Sequence, residues 1–441
     1  MNLNFIKRED NVSFIFSLIL IFFLFAQIYG PFLINFFHLS LFLFFIYQIK
    51  TNKIELKIHN SKLLLVQYLL LFYLLLNSFF LNENYSLTYK SLFYFRFILT
   101  AFIIYRLLKI SENIFEYLSL AFVIFSIFLS LDVMYQAKTG YDIFGYLAGI
   151  CSFPEGIYDP KNCQRFSGFF GDEYIAGSFL STYGLFFLYL YYKYSKKIYY
   201  NILILIVSFI IIISSIIISG ERNAFLNVLI IIFINLIFNK KLRKYIFFTA
   251  LLLGILLTVS MKKFDHIKFR YIDWPIQYTT SQKGDSIYKK LMQTSWGSHY
   301  LTAYEIFLNN KIFGSGFKSF RVECTKEEYT FDKLNNKYDL QLSRDGCSTH
   351  PHNIYFEILA ETGLIGFVLF LALFLTTLIN PLLRNFKKVN DKQSLIFILS
   401  IILTFLFPFR PTGSFTSTVF MTNMFFFIGF YLYFVNKVHK S

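Results

Sequence analysis

Charge is what this 441-residue chain has least of: 15% of its residues are Asp, Glu, Lys or Arg, against about 25% in soluble globular domains. That deficit excludes an ordinary water-soluble fold, because 56% of the residues are hydrophobic. Whole stretches carry no charge, such as IYYNILILIVSFIIIISSIIISG from Ile198 to Gly220. A run of about 18 or more apolar residues is long enough to cross the hydrocarbon core of a membrane as a helix. CxxC-type spacing is also missing, which weakens a cysteine-based metal site. No small-residue cleavage site follows the first apolar run, so that run is read as a retained span and not as a signal peptide. Internal repeats and low-complexity linkers are absent too. Phe, Ile, Tyr, Lys and Asn are over-used together, a bias that carries no functional information.

The apolar runs predict an all-α, polytopic membrane helix bundle of about twelve transmembrane helices. They lie near residues 12–29, 31–49, 63–81, 91–109, 117–135, 175–192, 198–219, 223–239, 245–260, 354–383, 394–409 and 418–436. Lys and Arg in short loops are retained on the cytoplasmic side. Every second connection is basic: Lys50, Lys53, Lys57 and Lys62; Lys193, Lys196 and Lys197; Lys240, Lys241, Arg243 and Lys244; Arg384, Lys387, Lys388 and Lys392. Lys437 and Lys440 close the pattern, so both termini are expected inside. The net charge of +16 follows in part from this rule and does not indicate nucleic-acid binding. Three segments are expected: a membrane bundle over 1–260, with spans one to nine and an outside loop at 136–174; a large outside loop over 261–353; and spans ten to twelve over 354–441. Within the large loop, SHYLTAYEIFLNN has helical spacing of Leu301, Tyr304 and Leu308, and GSG at 314–316 reads as a turn.

The four cysteines, Cys151, Cys163, Cys324 and Cys347, all fall in the two long outside loops, two in each. Disulfides persist in oxidising compartments, so Cys151–Cys163 and Cys324–Cys347 bridges are predicted. Four unpaired thiols are the alternative. The second bridge would close a loop just before His350 and be worth about 3 kcal/mol through chain entropy.

The unusual polar residues share one side of this topology. RFSGFFGDEYIAGSFL (Arg165–Leu180) leads into span six from outside, and ISGERNAFLN (Ile218–Asn227) is the tight outside turn between spans seven and eight. STHPHN leads into span ten, and FPFRPTGS (Phe407–Ser414) is the outside turn between spans eleven and twelve. Arg165, Arg222, Arg410, His350 and His352 are therefore expected at one membrane face. Arginine offers a fixed fork of donors that matches phosphate oxygens. Histidine takes a proton near neutral pH. The combination suits glycosyl transfer from a lipid diphosphate to a hydroxyl, with arginines stabilising charge on the departing diphosphate. It would equally suit binding of an anionic lipid without chemistry.

Structural readings stand beside these. His352 is a candidate base or a cap at the start of its helix, and Pro351 keeps His350 off the same helical face, in a supporting role. Asn353 reads as an N-cap. Glu357 and Glu361 share a helix face. A carboxylate as deep as Glu361 is costly unless paired, so it is expected to bond a neighbouring helix or orient a site group. Arg222 could hold surface lipid. Asp172 and Glu173 are candidate partners for Arg165, and Arg96 and Asp132 are further candidates for structural pairing. Gly363 and Gly366 read as close-packing positions.

At these residues the chain resembles the O-antigen ligase and polymerase family of bacterial envelope glycosyltransferases. The resemblance rests on HPHNIYFEILAETGLIGF, the Arg-centred SGERNAF turn, RFSGFFGDEYIAGSFL and GSGFKSFRVEC, and with the span pattern it covers most of the chain. It implies a helical bundle in the bacterial inner membrane, with a large periplasmic loop between spans nine and ten. It also implies inverting transfer, without metal or other cofactor, from an undecaprenyl diphosphate-linked saccharide. By that analogy His352 is the base, Arg222 and Arg165 bind the diphosphate, and Arg410 has a less certain match. His350, Asn353, Glu361, Asp172 and Glu173 complete the candidate substrate-binding set. The active site would face the periplasm and both termini the cytoplasm. FGDEYIAGS and PFRPTGS look more like polymerases of the family, which join a growing chain to a lipid-linked repeat unit, than like ligases, which pass a finished chain to lipid A-core. Glu221 and Asn223 stand where family members often have Ser before and Gly after the arginine, and Glu221 would weaken diphosphate binding. The expected function is polymerase, with ligase as the alternative. Expected partners are the bilayer and the lipid-linked saccharides, with a chain-length regulator as a further candidate. A transporter of an anionic lipid-linked saccharide, the non-enzymatic alternative, calls for charged or broken helices near the bilayer midplane, whereas these spans are nearly charge-free at their centres.

Overall fold

The computed structural model describes residues 8–54, 61–81, 85–111, 114–151, 163–195, 198–241, 243–276, 286–342 and 346–438. Lys57, Lys196, Lys197 and Lys440, residues 152–162 of the first outside loop, and the side chain of Cys151 lie outside this description. The fold is all-α and polytopic. Among the described residues, eight helices are long and apolar enough to cross a membrane by length and composition, and Ile202–Ile218, Arg222–Phe238 and Lys392–Phe405 are shorter apolar helices. The remaining expected span is helical but irregular. It begins as Ala176–Phe179, widens to a π-helical turn at Leu180–Gly184 and continues as Leu185–Tyr194. The Thr182 hydroxyl donates to the carbonyls of Ser178 and Phe179, and such side-chain insertion into the helical ladder loosens it. The only sheet among the described residues is the antiparallel pair Gly149–Cys151 and Cys163–Arg165.

The chain forms two compact units. The first comprises Met1–Lys53, Tyr105–Pro275 and Asp391–Thr404. Its centre is Ile114–Thr139, which packs on Leu185–Tyr194 and on Ile198–Ile218. The Phe122 ring stacks on Phe187 at 3.8 Å, and Phe179 stacks on Tyr183 at 4.8 Å. In lipid, helices gain little from burying apolar surface, so close ring and small-residue packing of this kind holds them together.

The second unit comprises Ile54–Ile104, Ile276–Asn390 and Phe405–Ser441. The predicted amphipathic helix is present as Ser295–Asn309 and lies on Ile354–Phe374. The latter is not continuous. Gly363 breaks it at φ 62°, ψ −166°, a conformation that strongly favours glycine. The break frees backbone groups that must be satisfied inside a membrane helix, and the chain on either side of the GSG turn supplies the partners. Leu364 and Ile365 donate to the carbonyls of Lys311 and Ile312, while Ser315 and Gly316 donate to those of Ala360 and Glu361. A Cβ on Gly363 would overlap the Ile312 carbonyl, and one on Gly314 would overlap the Glu361 backbone. The two glycines are thus the condition for this backbone-to-backbone seam. Cys324 and Cys347 form a disulfide across a sequence separation of 23. Cys163 is also disulfide-bonded, and the strand register sets Cys151 opposite it.

Candidate functional site

Two groups of candidate side chains are built from these elements, one in each unit. In the first unit the Gly220 turn leads into Arg222–Phe238. Arg222 lies with its guanidinium 3.9 Å from the centre of the Trp274 ring. Arg165, at the end of its strand, donates to the Tyr174 carbonyl at 2.9 Å and lies over the Tyr174 ring at 4.5 Å. A third arginine joins them. Arg270, in the π turn Phe269–Asp273, is buried and donates to the Gly220 carbonyl at 3.2 Å. Burial first, and then repulsion from Arg222 and Arg165, lower its pKa to about 10. Arg270 thus feels the charge of both other guanidiniums, a repulsion that a multiply charged anion shared among them would relieve.

Glu221 is buried beside this cluster, yet it does not cap Arg222. Its carboxylate accepts from the Gly177 and Ser178 amides, at 2.7 and 3.2 Å, and from the Ser178 hydroxyl at 2.9 Å. It thereby fixes the start of the Ala176 helix. Burial raises its pKa, and Arg165 and the Ser178 bonds offset part of that rise. Asp172 and Glu173 are exposed and form no ion pair with Arg165; the expected pairing is absent, because Tyr174 occupies the arginine instead. Below Arg222 a groove of about 290 Å³ runs along Phe225, Leu226, Leu229, Leu257, Met261, Tyr271 and Ile272. Its lining is almost wholly apolar, with Arg222 as its one charged residue.

In the second unit the histidines cluster. The His350 and His352 rings are 4.1 Å apart, and His299 on the Ser295–Asn309 helix brings a third ring 5.4 Å from His352. Trp296, one turn earlier, meets His352 edge-on at 4.8 Å. His299 Nδ1 bonds the Gly346 carbonyl at 2.8 Å. His352 has φ 56°, a left-handed conformation costing about 1–3 kcal/mol in a non-glycine residue and typical of functional sites. Its carbonyl accepts from Thr412 at 2.7 Å, which ties this strained turn to the segment carrying Arg410. Burial, followed by repulsion from His350 and His299, lowers the His352 pKa to about 3. His350 is lowered to about 4, mainly by burial, and its Nε2 is buried without a partner. Both rings are neutral at pH 7, each with one nitrogen lone pair available.

Asn353 is the N-cap, accepting from Tyr355 at 3.0 Å and Phe356 at 3.3 Å while donating to the Pro408 carbonyl. Arg410 is buried, and burial lowers its pKa to about 10. The two helix carboxylates hold loops. Glu357 accepts from the Ser414 hydroxyl and the Phe415 amide, whereas Glu361 accepts from the Lys318 amide at 2.6 Å and the Phe320 amide at 3.1 Å. Glu361 is therefore a positioning group for the 314–320 segment. Arg96 donates to Phe93 and Thr418, and Asp132 accepts from Ile143.

Of the residues expected from the sequence, Arg165, Arg222, His350 and His352 lie in these clusters; Arg270, Trp274, His299 and Trp296 lie there too and were not expected. The one available signal for the last two was their place at the start of the amphipathic helix. Residues 207–371 match the family model described as O-antigen ligase. The matched stretch contains Arg222, Arg270 and all three clustered histidines. No curated protein matches the chain.

Proposed function

For a chain whose match over residues 207–371 supports membership of the O-antigen ligase and polymerase family, we propose polymerisation of a surface polysaccharide. The donor glycan is carried on undecaprenyl diphosphate, and the acceptor is a sugar hydroxyl of a lipid-linked repeat unit. One observation carries this reading. Arg270 is repelled by Arg165 and Arg222, and Arg222 in turn lines an apolar groove, an arrangement suited to an amphiphile with a doubly phosphorylated head and a hydrocarbon tail.

In the proposed step the acceptor hydroxyl attacks the anomeric carbon from the face opposite the diphosphate, inverting it. The bond to the diphosphate oxygen breaks, and its electron pair leaves on the phosphate. Arg165, Arg222 and Arg270 stabilise that charge, which lets the reaction proceed without a metal. His352, its ring neutral at pH 7, accepts the hydroxyl proton, its basicity raised from the low value that burial imposes by the negative charge of the departing diphosphate. His350 and Arg410 support it, and Asn353 fixes the start of its helix. Asp172 and Glu173, being exposed, are left to contact the glycan and not the diphosphate. The reading places the protein in the bacterial inner membrane, with both termini cytoplasmic and the active site facing the periplasm. The residues FGDEYIAGS and PFRPTGS favour polymerase; the family match, described as O-antigen ligase, does not separate the two.

The test is a reconstituted transfer reaction with synthetic donor and acceptor lipids in detergent. Wild-type protein should lengthen the glycan, and His352→Ala should bind donor but not transfer it. Wild-type turnover in that variant would remove His352 from the base role. A deletion strain displaying single-repeat caps on lipid A-core would support polymerase, whereas unattached long polymer on its carrier would support ligase.

A further inference from the structure

The second unit holds a cleft of about 540 Å³ lined by Leu81, Asn309, Asn310, Gly314, Ser315, Glu323, Lys326 and Glu328. Its volume falls within the usual range of small-ligand sites, about 300–1,000 Å³. None of its polar side chains belongs to the histidine cluster. Glu323 is the most enclosed of the charged ones, with 15% of its side chain exposed, and its Oε1 takes Lys326 Nζ at 2.8 Å. Asn309 donates to the Tyr329 hydroxyl at 3.0 Å. Asn310 donates to the Ile306 carbonyl at 3.1 Å. Each asparagine amide keeps a second N–H beyond the one bond it makes within the protein. Acceptor oxygens remain as well: Glu323 Oε2 and the two asparagine Oδ1 atoms make no bond to the described residues.

A wall with both acceptors and amide donors to spare calls for a ligand that can pair with each. Two carboxylates against one ammonium disfavour a phosphate or nucleotide, whereas every hydroxyl of a sugar both donates and accepts. The margin has a second character. Ile312 and Phe313, between Asn310 and Gly314, are exposed, as is Phe80 next to Leu81. A polar cleft with an apolar rim at the end of a membrane helix suits a saccharide that stays attached to a lipid. The floor is tied to the proposed catalytic helix, because Ser315 donates to the Ala360 carbonyl through both its amide and its hydroxyl. The helix from Asn353 to Glu361 spans roughly 12 Å, so the cleft wall and the histidines are set at fixed spacing on one element.

We propose that this cleft is a saccharide-binding site, which takes the glycan of the acceptor at a distance from the reacting hydroxyl. The identity of the glycan as acceptor rests on the polymerase reading; saccharide binding in the cleft does not.

The experiment uses the full chain in lipid nanodiscs and two probes. One is a lipid-free repeat-unit oligosaccharide released from the host's own surface polysaccharide, and the other is the core oligosaccharide of its lipopolysaccharide. Saturation-transfer NMR reports binding for wild type, Glu323→Gln and Asn310→Ala, with thermal unfolding as the check on folding. The repeat-unit probe should bind wild type, and each folded variant should weaken it about tenfold, the scale of one hydrogen bond to a charged or amide acceptor. In the transfer assay the same variants should raise the acceptor KM with little change in kcat. Unchanged binding in both folded variants, or no binding of either saccharide to wild type, would overturn the proposal. Binding that is lost in the variants while wild type transfers nothing would uphold the cleft and sink the polymerase reading. Preference for the core probe would uphold the cleft and move the acceptor to lipid A-core.

Discussion

Replacing Glu361 by Gln isolates the contact that fixes the loop against the proposed catalytic helix. The carboxylate accepts from two backbone amides, the half-buried one of Lys318 at 2.6 Å and the buried one of Phe320 at 3.1 Å, and Lys318 is held in the left-handed region at φ 64°. A glutamine of the same shape keeps one oxygen but sets an NH₂ group against the other N–H. One charge-assisted bond is lost, worth about 1.5–3 kcal/mol, and one buried donor loses its partner. Because these two effects overlap, the expected net cost is about 2–3 kcal/mol. Local opening of the segment then becomes roughly 30–150-fold more frequent, at about 1.4 kcal/mol per factor of ten. Hydrogen exchange on peptides covering residues 314–323 reads this directly. The expected result is exchange faster by that factor there and unchanged exchange in the Ile114–Thr139 helix of the other unit. Unaltered protection at Lys318 and Phe320 would refute the argument that a buried carboxylate holds the loop.

Loss of one guanidinium from the arginine cluster gives a second expectation. Arg270→Ala should weaken binding of undecaprenyl diphosphate by about 10–150-fold, the value of one hydrogen bond between charged groups, as measured by titration in detergent. The pH dependence of stability gives a third. His350 and His352 titrate near 4 and 3 in the folded chain and near 6.5 when unfolded. The unfolded chain therefore binds more protons between these values. Stability contributed by the pair is complete above about pH 6.5 and falls as the pH drops toward 4, by at most about 1.4 kcal/mol per pH unit for each ring, less for their partial exposure. Denaturant midpoints at pH 7.5 and 4.5 should differ more in wild type than in a His350→Asn, His352→Asn double variant. Equal pH sensitivity would remove these histidines as its source.

The helical segments were legible because charge-free runs of membrane-spanning length leave few alternatives. The irregular places were not. Gly363 reads as a packing glycine, and its left-handed break becomes intelligible only with Lys311–Gly316 alongside to take up the freed backbone groups. The π turn at Leu180–Gly184 likewise depends on Thr182 bonding back along its own helix, which no apolar periodicity records. At the sites, residues in short distinctive strings were found, because SGER and HPHN stand out against apolar flanks. Arg270 and His299 were missed because nothing local distinguishes them; Arg270 acquires its meaning from the Gly220 carbonyl fifty residues earlier. Glu221 was legible as an acidic neighbour of Arg222 but not in its effect, since its bonds run to the Gly177 and Ser178 amides.

The claim at the centre of this account is that Arg165, Arg222 and Arg270 seat the diphosphate of a polyprenyl carrier. A cryo-electron microscopy map of the protein with undecaprenyl diphosphate bound tests it most directly. The account predicts phosphate oxygens about 2.7–2.9 Å from these guanidiniums, with the tail running along Leu226, Leu229 and Leu257. Diphosphate density elsewhere, with all three arginines bonded only to protein, would contradict it.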